Sequence, residues 1–501
     1  MHTFASPLER ARTVAGRRTA VVCGETTMTY DETWHRCRRL VGALRGLGLE
    51  RGDRVAVIAA NCHRYLEVYQ AVPAGGMVLV PLNARHTEAE HRYALTDAGV
   101  RVLVTDRDPG ALAGLVEHVV RLPDGYEALL AAAPELPLGE GVGEDDLAGL
   151  FYTGGTTGAA KGVMLSHRNL LANTVHSLVG MGLGPEDRWL AMAPMFHAAG
   201  TFAVLASVWL GATHIVLPVF EPGAALDLIE GERCTATIAV PTMVAALAEE
   251  QTRRPRDVSS LRLLTHGAAP IAIDVLRRAA AAFPAAELVH LYGTTEAAPL
   301  VTTGRDEGRL LDGPRARSCG QPLVGVEVRV VGPAGEPAAP GEVGEVLVRG
   351  PNVMQGYWGK PAETAAALQD GWYRSGDLGR LDDEGWLFLV DRAKDMIVTG
   401  GENVYSTEVE DALLDHPAVR EAAVFGVPDP RWGEAVHAVV VLRAEVTPAQ
   451  LDAHLRERIA GYKLPKTVEV RTEPLPVSGA GKVLKRALRE PHWRGHDTRI
   501  G

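Results

Sequence analysis

The chain has 501 residues, of which 46% are hydrophobic and 23% charged, and its formal net charge is −11. This balance excludes a mostly disordered chain, and the length predicts more than one domain. The acidic excess provides no general basic face for nucleic acid. Five scattered cysteines fit neither a disulfide framework nor a CxxC metal site. We therefore expect a cytoplasmic protein with reduced thiols and no nucleic-acid partner.

Short apolar runs alternate with helical segments in the first part of the chain. Strands are predicted at 54–60, 77–80 and 101–105, with a helix at 62–72 between the first two. Another helix is predicted to begin at Thr87, because Thr87 and Glu90 have the spacing of a capping box. Strand–helix–strand order of this kind predicts an α/β fold with a parallel sheet covered by helices.

One stretch, 189–220, contains no Asp, Glu, Lys or Arg and is long enough to cross a membrane. Pro194, Gly200, Gly211 and Pro218 interrupt it. A loop, a buried helix near 201–210 and a buried strand near 213–217 are therefore predicted in place of a membrane span. The N-terminus has no apolar core of a secretory signal either, so no integral membrane association is expected.

The pattern changes twice toward the C-terminus. Residues 134–146 are rich in Pro, Gly and acidic side chains and predict a surface connector, after which the α/β alternation resumes. Short strands joined by Gly/Pro turns predict a β-rich subdomain at about 320–391. We expect a large N-terminal domain at 1–391, a hinge at 392–394 and a small mobile α+β domain at 395–501, with a helix capped at Thr447.

The strongest local signal is the segment 152–162, YTGGTTGAAKG, which follows a short apolar run. Glycines let backbone N–H groups turn toward one anion, threonines add hydroxyl donors and a lysine adds a point charge. The segment predicts a phosphate loop, although it lacks the GK[ST] of the common NTPase loop. The predicted ligands are Thr153, Gly154, Gly155, Thr156, Thr157, Gly158 and Lys161.

Seven further motifs follow in order: PMFH (194–197), GAAP (267–270), YGTTE (292–296), YRSGD (373–377), DRAKD (391–395), GGENV (400–404) and GK (481–482). Together with the loop they resemble the motifs of the adenylate-forming superfamily of acyl-CoA synthetases, luciferases and peptide-synthetase adenylation domains. The similarity covers nearly the whole chain and is greatest to the fatty-acyl- and 4-coumarate-CoA ligases. It implies that a carboxylate attacks the α-phosphate of Mg·ATP, and that CoA then displaces AMP from the acyl-AMP.

The resemblance also implies the roles of individual residues. Taken singly, Asp377 could equally be a turn residue, Tyr292 a core tyrosine and Glu296 a helix-start glutamate. By resemblance, Asp377 binds the ribose hydroxyls, Tyr292 the purine and Glu296 the Mg²⁺. The implied catalytic residues are Lys482, His197, Glu296 and Thr295. The other implied nucleotide ligands are Gly267, Ala268, Ala269, His290, Gly293 and Arg392. The implied acyl pocket comprises Ala198, Gly200, His266 and Ala298, and the hinge and CoA channel comprise Lys394, Gly400 and Gly401.

Two residues depart from the family loop. Gly154 stands where serine is usual and Ala160 where proline is usual, which predicts a weaker KM for ATP without loss of activity. Small residues around the implied pocket favour a bulky aromatic or medium-chain acid over acetate, and the lack of an arginine there disfavours malonate. Ala198 stands where amino-acid-activating relatives have Asp, so an α-amino acid is disfavoured.

Two other functions remain open from the sequence. One is an adenylation enzyme that loads an aryl or acyl group onto a carrier protein in place of CoA. The other is a nucleotide-binding protein without catalysis, which only the altered loop suggests. The acid itself and the oligomeric state are not determined by these motifs.

Overall fold

The computed structural model describes residues 2–153, 160–269, 271–305, 311–393, 395–400, 402–477 and 483–494, apart from the side chains of residues 199, 201 and 202. Its helices are α1 (Ala5–Ala15), α2 (Tyr30–Gly46), α3 (His63–Ala74), α4 (Glu88–Ala98), α5 (Asp124–Ala132), α6 (His167–Met181), α7 (Ala198–Leu210), α8 (Pro222–Gly231), α9 (Pro241–Arg253), α10 (Ile273–Ala282), α11 (Pro361–Ala367), α12 (Ser406–Leu414), α13 (Pro448–Arg456) and α14 (Lys485–Trp493).

The strands are β1 (Thr19–Cys23), β2 (Thr26–Thr29), β3 (Arg54–Ile58), β4 (Val78–Pro81), β5 (Val100–Thr105), β6 (His118–Arg121), β7 (Leu147–Thr153), β8 (Lys161–Ser166), β9 (Arg188–Ala191), β10 (Thr213–Val216), β11 (Ala236–Ala239), β12 (Leu263–Gly267), β13 (Glu287–Gly293), β14 (Leu300–Gly304), β15 (Gln321–Pro322), β16 (Glu327–Val331), β17 (Gly344–Arg349), β18 (Gly356–Tyr357), β19 (Leu368–Gln369), β20 (Trp372–Leu381), β21 (Leu387–Arg392), β22 (Ile397–Thr399), β23 (Glu402–Val404), β24 (Val419–Asp429), β25 (Gly433–Leu442) and β26 (Thr467–Arg471).

Two large sheets have parallel centres; both edges of the first are antiparallel, whereas the second has one antiparallel edge, at β8 and β18, and one parallel edge, at β6. One has nine strands in the order β15-β14-β13-β12-β11-β9-β10-β1-β2, and the other has seven in the order β18-β8-β7-β4-β3-β5-β6. Strands β9 to β13 run parallel to one another in the first sheet, as do β3 to β7 in the second. The predicted α/β class is therefore confirmed.

Local signals in the sequence predict the positions of several helices and strands to within a few residues. The Thr87 side chain accepts from the Glu90 backbone N–H while Glu90 bonds back to Thr87, so the predicted capping box begins α4. The uncharged stretch contains the predicted buried helix and strand, α7 and β10. Helix α7 begins three residues earlier than predicted, with the Gly200 N–H donating to the His197 carbonyl. Among the described residues, no helix combines the length and the apolarity needed to span a bilayer.

The chain divides into two compact units. The first contains Met1–Ala269, Val275–Val328 and Val348–Arg374, and the second contains Pro270–Asp274, Arg329–Leu347 and Ser375–Gly501. In the second unit, a sheet of order β23-β22-β25-β24, with β26 beside β25, separates two apolar clusters. Helices α12 and α13 supply Val409, Leu413 and Leu451 to one cluster, and α14 supplies Leu488 to the other.

Three histidines of the first unit are buried, and their burial makes the stability of this unit depend on pH. Burial lowers the pKa values of His63, His167 and His214 to about 4. In the unfolded chain a histidine has a pKa near ~6.5, so the unfolded state binds more protons between those two values. The free energy of unfolding is therefore expected to fall as the pH falls from 6.5 toward 4, by on the order of 3 kcal/mol per histidine at most.

His167 offers a direct test, because its Nδ1 accepts the Phe4 backbone N–H at 3.2 Å and a protonated ring cannot accept. The side-chain oxygen of His167→Asn can accept a similar bond but does not titrate in this range. The variant is expected to lose less thermal stability than the wild type between pH 7 and pH 5, measured by circular dichroism. Parallel plots of Tm against pH for the two proteins would contradict this assignment.

Candidate active site

The predicted phosphate loop connects two paired strands of the first unit. Strands β7 and β8 are antiparallel, with Thr153 opposite Lys161 and Tyr152 opposite Gly162. This pairing holds two predicted phosphate ligands, Thr153 and Lys161, next to each other at the base of the loop. The other predicted ligands, Gly154, Gly155, Thr156, Thr157 and Gly158, lie outside the described residues.

Side chains from elsewhere in the first unit fix the base of this hairpin. The Tyr152 hydroxyl donates to the Asp97 carboxylate at 2.6 Å, and the Tyr93 hydroxyl donates to the Ala160 carbonyl at 3.0 Å. A Cβ on Gly162 would lie 3.2 Å from the Tyr152 ring, so this position favours glycine. Hydrogen bonds to Asp97 and Tyr93 of α4 therefore hold the chain on both sides of the loop.

A row of three polar side chains lies beside the hairpin. The Lys161 Nζ is 4.8 Å from the centre of the Tyr357 ring, and the Tyr357 hydroxyl donates to Glu296 Oε1 at 2.9 Å. Strand β18 places Tyr357 there, because it pairs antiparallel with β8 and sets Tyr357 opposite Val163. The lysine predicted to bind phosphate and the glutamate predicted to bind metal are thus linked through one tyrosine ring.

Tyr357 was not predicted from the sequence. It lies on a strand of only two residues, about sixty positions after Glu296, and a strand that short produces no periodic pattern. The nearby signal in the sequence is the glycine at position 356. The structure explains that glycine, because its φ of 145° is in the region that favours glycine. Burial and the Glu296 carboxylate both raise the pKa of Tyr357, so its hydroxyl stays protonated and donates.

The predicted nucleotide and acyl segments follow the carboxyl ends of parallel strands. Strands β9, β12 and β13 end at residues 191, 267 and 293, and all belong to the parallel part of the nine-stranded sheet. Their carboxyl ends therefore lie at one edge, which is where α/β sheets bind ligands. The sheet brings the segments around His197, Gly267 and Tyr292 to that edge.

Close backbone contacts at this edge require two of the predicted glycines. A Cβ on Gly267 would come within 2.1 Å of the Leu291 carbonyl oxygen, and one on Gly293 within 1.9 Å of the Pro299 carbonyl oxygen. Ala268 and Ala298, which follow the two strands, have φ values of +67° and +61°, a strained region for alanine. Such local strain is common at ligand sites and accompanies the predicted nucleotide segment here.

The side chains at the same edge differ in exposure. Tyr292 is buried and His290 is half-buried, while Ala268 is exposed and Ala269 is half-buried. The His290 ring stacks on the His266 ring with centroids 4.8 Å apart, and His290 Nδ1 hydrogen-bonds to the Ser318 carbonyl at 3.1 Å. Two predicted residues, one from the nucleotide set and one from the acyl set, are therefore in direct contact.

The short turn after Tyr292 positions the predicted catalytic pair Thr295 and Glu296. Residues Thr295–Ala297 form one 3₁₀ turn, and the Met354 N–H donates to the Glu296 carbonyl at 2.8 Å. The Thr294 hydroxyl oxygen is buried and has no hydrogen-bond partner among the described residues. A buried hydroxyl without a partner costs free energy, so we regard Thr294 as an additional candidate ligand that the sequence did not single out.

His197 lies just before α7, on a segment held by Asn61. The Asn61 side chain accepts from the Met195 N–H at 2.9 Å and donates to the Ala193 carbonyl at 3.0 Å. Asn61 is buried and follows β3, far from His197 in sequence, so no motif indicated it. It fixes the backbone from which the half-buried His197 extends.

The predicted acyl-pocket residues are all buried: Ala198, Gly200, His266 and Ala298. Gly200 lies in the first turn of α7, and a Cβ there would lie 3.4 Å from the Pro194 carbonyl oxygen, an ordinary contact. Its φ is outside the left-handed region, so the backbone does not demand glycine.

Two predicted nucleotide ligands meet in the second unit. Asp377 pairs with Arg392 across β20 and β21, and the Arg392 Nε lies 3.2 Å from Asp377 Oδ1. Asp377 is buried, and the preceding Gly376 has a φ of +70°. The Ser375 hydroxyl accepts the Asp377 N–H at 3.1 Å and donates to the Val346 carbonyl at 2.6 Å, which fixes the turn.

The predicted hinge and channel residues are only partly described. Gly400 has a φ of +61°, and a Cβ there would come within 2.7 Å of the Trp432 ring. Lys394, Gly401 and Lys482 lie outside the described residues.

Family comparisons match both parts of the chain. A family model for an AMP-binding enzyme matches residues 8–358, and one for the C-terminal domain of AMP-binding enzymes matches residues 408–482. A feruloyl-CoA synthase of Amycolatopsis sp. is 44% identical over 492 residues, covering 96% of this chain and 97% of that protein. A fatty acid–[acyl-carrier-protein] ligase of Streptomyces coeruleorubidus is 35% identical, covering 95% of this chain and 93% of that protein.

The solved structures that match include the o-succinylbenzoate CoA synthetase of Bacillus subtilis. Its complex with the acyl-adenylate intermediate OSB-AMP has a TM-score of 0.89 and 32% identity, with 100% of each chain covered. Its complex with ATP and magnesium ion has a TM-score of 0.87 and 31% identity, covering 96% of this chain and 98% of that one. The likeness therefore extends over both the fold and the sequence.

Proposed function

The chain belongs to the AMP-binding enzyme family, and from this membership we propose that it joins a carboxylic acid to CoA, with ATP as co-substrate and an acyl-AMP as intermediate. The observation that most supports this is the 44% identity to a feruloyl-CoA synthase over nearly the full length of both proteins. The enzyme is thus an AMP-forming acid–thiol ligase, in agreement with the prediction from its motifs.

In the first step the carboxylate attacks the α-phosphate of ATP and pyrophosphate leaves. Catalysis of such an in-line displacement is mostly positioning and electrostatic stabilisation. In the proposed site, Lys161 neutralises phosphate charge at the base of the loop, Thr153 adds a hydroxyl donor and His197 orients the substrate carboxylate. Asp377 binds the ribose hydroxyls, and the Arg392 guanidinium forms an ion pair with one carboxylate oxygen of Asp377.

The described residues fit a magnesium ion at Glu296. Its Oε1 accepts from Tyr357, which orients the carboxylate, and Oε2 remains as a hard oxygen ligand of the kind that Mg²⁺ prefers. We propose that Glu296 would hold the ion beside the phosphates, where it would neutralise charge on them. Thr294 and Thr295 directly precede Glu296 in the chain and carry two further hydroxyl oxygen atoms.

Replacing Tyr357 with phenylalanine tests the Lys161–Tyr357–Glu296 row. The change removes the hydroxyl that orients Glu296 and keeps the ring beside Lys161. The Mg²⁺ concentration for half-maximal ATP–pyrophosphate exchange is expected to rise about 3- to 10-fold, since one hydrogen bond contributes roughly 0.5–1.5 kcal/mol. The rate at saturating Mg²⁺ should change less.

Tyr126→Phe is the matched control, because the Tyr126 hydroxyl also donates to a glutamate, Glu67, at 2.7 Å, but on helices α3 and α5. It should leave the Mg²⁺ requirement unchanged even if the protein becomes less stable. Equal Mg²⁺ requirements for Tyr357→Phe and the wild type would show that the hydroxyl does not position the carboxylate.

For the second step we propose that the C-terminal domain rotates about the hinge at 392–394. This movement would take Lys482 away from the acyl site and bring Gly400 and Gly401 to it, opening a channel for the CoA thiol. Two reactions at one site require such a rearrangement, which a few hinge residues can provide.

We propose an aromatic acid as the substrate. The 44% identity to a feruloyl-CoA synthase supports this, as do the buried small residues Ala198, Gly200 and Ala298 of the proposed pocket. The test is ATP–pyrophosphate exchange over a panel that includes ferulate, 2-succinylbenzoate, octanoate and acetate. Exchange should be fastest with ferulate or another aromatic acid, and a preference for acetate would overturn the assignment.

A carrier protein remains the alternative acceptor, because the fatty acid–[acyl-carrier-protein] ligase is 35% identical to this chain. Offering CoA and a carrier protein bearing a phosphopantetheine arm to the same acyl-AMP distinguishes the two. Formation of the CoA thioester, with no acyl transfer to the carrier protein, is the expected result. Absence of pyrophosphate exchange with every acid would instead favour a nucleotide-binding protein without catalysis.

A further inference from the structure

A cluster of two histidines and one glutamate lies in the second unit, on residues assigned no role in adenylation. His437 is on β25, Glu469 on β26 and His492 in the last turn of α14. One possible ligand atom from each lies within 4.8 Å of the other two. The cluster thus joins the sheet to the helix that covers it.

The register of the strands brings the three side chains together. Strands β25 and β26 are parallel, with His437 opposite Thr467 and Val439 opposite Glu469, so His437 and Glu469 share one face of the sheet. Val439 packs with Leu488 on that face, which places it under α14. From the end of that helix, the His492 ring lies 4.7 Å from the His437 ring.

The hydrogen bonding of His437 leaves one ring nitrogen available. Its Nδ1 lies 2.6 Å from the Thr467 hydroxyl oxygen, while its Nε2 is buried and has no hydrogen-bond partner among the described residues. If Nδ1 carries the proton and donates it to Thr467, Nε2 presents its lone pair. Metal-binding histidines commonly have this arrangement, in which a second residue fixes the ring through the other nitrogen.

We propose that His437, Glu469 and His492 bind a divalent transition-metal ion of the Zn²⁺ type. Two imidazoles and one carboxylate suit Zn²⁺ or Co²⁺ and are poor ligands for Mg²⁺, which prefers oxygen. Glu469 and His492 are exposed, so water completes the coordination. The ion clamps α14 onto the sheet and is distinct from the magnesium proposed at Glu296.

Titration of the chelator-treated full-length protein with Co²⁺ tests the site directly. The wild type is expected to bind one equivalent with visible d–d absorption, which Zn²⁺ displaces and Mg²⁺ does not. His492→Ala and Glu469→Gln change exposed ligands and should each weaken Co²⁺ binding at least about tenfold. Zn²⁺ should raise the Tm of the wild type and not that of His492→Ala.

The chain has 17 histidines, so the control must be another histidine pair. The rings of His416 and His454 lie 4.8 Å apart in the same unit, and His416→Ala should leave the stoichiometry and affinity for Co²⁺ unchanged. Wild-type binding in both His492→Ala and Glu469→Gln would overturn the proposal. So would the absence of a one-equivalent Co²⁺ spectrum in the wild type.

Discussion

Replacement of Lys482 with alanine is expected to slow acyl-AMP formation by about 10²–10³-fold and to leave thioester formation from supplied acyl-AMP near the wild-type rate. We propose that in the first step the Lys482 ammonium stabilises the charge that develops between the carboxylate and the α-phosphate. One lysine cannot serve both reactions if the C-terminal domain rotates between them. The substitution should therefore lower the rate of acyl-AMP formation without lowering the rate of thioester formation.

The described residues around this position are well anchored. Val477 and Val483 pair in an antiparallel bridge on either side of 478–482, and the Leu484 N–H donates to the Pro476 carbonyl at 2.8 Å. Lys485, at the start of α14, extends its ammonium to the Ser406 hydroxyl at 2.6 Å and to Glu410 at 2.7 Å. The described residues on either side of 478–482 are therefore paired with each other, and Lys485 connects the start of α14 to α12.

Pyrophosphate exchange measures the first half-reaction, and release of AMP from synthetic acyl-AMP with CoA measures the second. Lys466→Ala, which removes an exposed lysine of the same unit, should change neither rate. A similar loss in both half-reactions for Lys482→Ala would contradict the proposed exchange of conformations.

Local sequence patterns account for much of the fold. Capping boxes at Thr87 and Thr447 begin the predicted helices α4 and α13, and apolar runs form the predicted strands β3 and β5. Each of these signals depends only on neighbours within a few residues. The motifs also predicted Lys161 and Glu296 as ligands, and the structure shows both side chains in contact with Tyr357. Two of the residues that the sequence did not predict, Tyr357 and Asn61, contact the candidate site through partners distant in sequence.

Tyr357 and Asn61 illustrate why these contacts could not be predicted. Tyr357 reaches Glu296 because the two-residue strand β18 pairs with β8, and Asn61, which follows β3 of the seven-stranded sheet, supports the segment before His197, which follows β9 of the nine-stranded sheet. The His437 cluster likewise requires both a strand register and the position of α14. Sequence spacing alone contains none of this information.

Enlarging the buried residue Gly200 is expected to shift the substrate preference toward shorter acids. In Gly200→Leu the new side chain would occupy the space proposed for the acyl group, and each methylene in an apolar site discriminates by ~1–3 kcal/mol. Activity on bulky aromatic acids should fall about 10²-fold, while activity on acids of about four to six carbons should persist. The KM for ATP should change little, because two of the proposed phosphate ligands, Thr153 and Lys161, lie on β7 and β8 and not on α7.

Gly200→Ala separates the effect of volume from that of backbone geometry. A Cβ at this position meets only the ordinary 3.4 Å contact with the Pro194 carbonyl, and Gly200 is not among the glycines with a positive φ. Alanine should therefore retain most of the aromatic activity and the wild-type Tm, because α7 tolerates a side chain here. Uniform loss with all acids in Gly200→Leu, together with a lowered Tm, would show that leucine disrupts α7. An unchanged rate with aromatic acids in the leucine variant would show that Gly200 does not face the substrate.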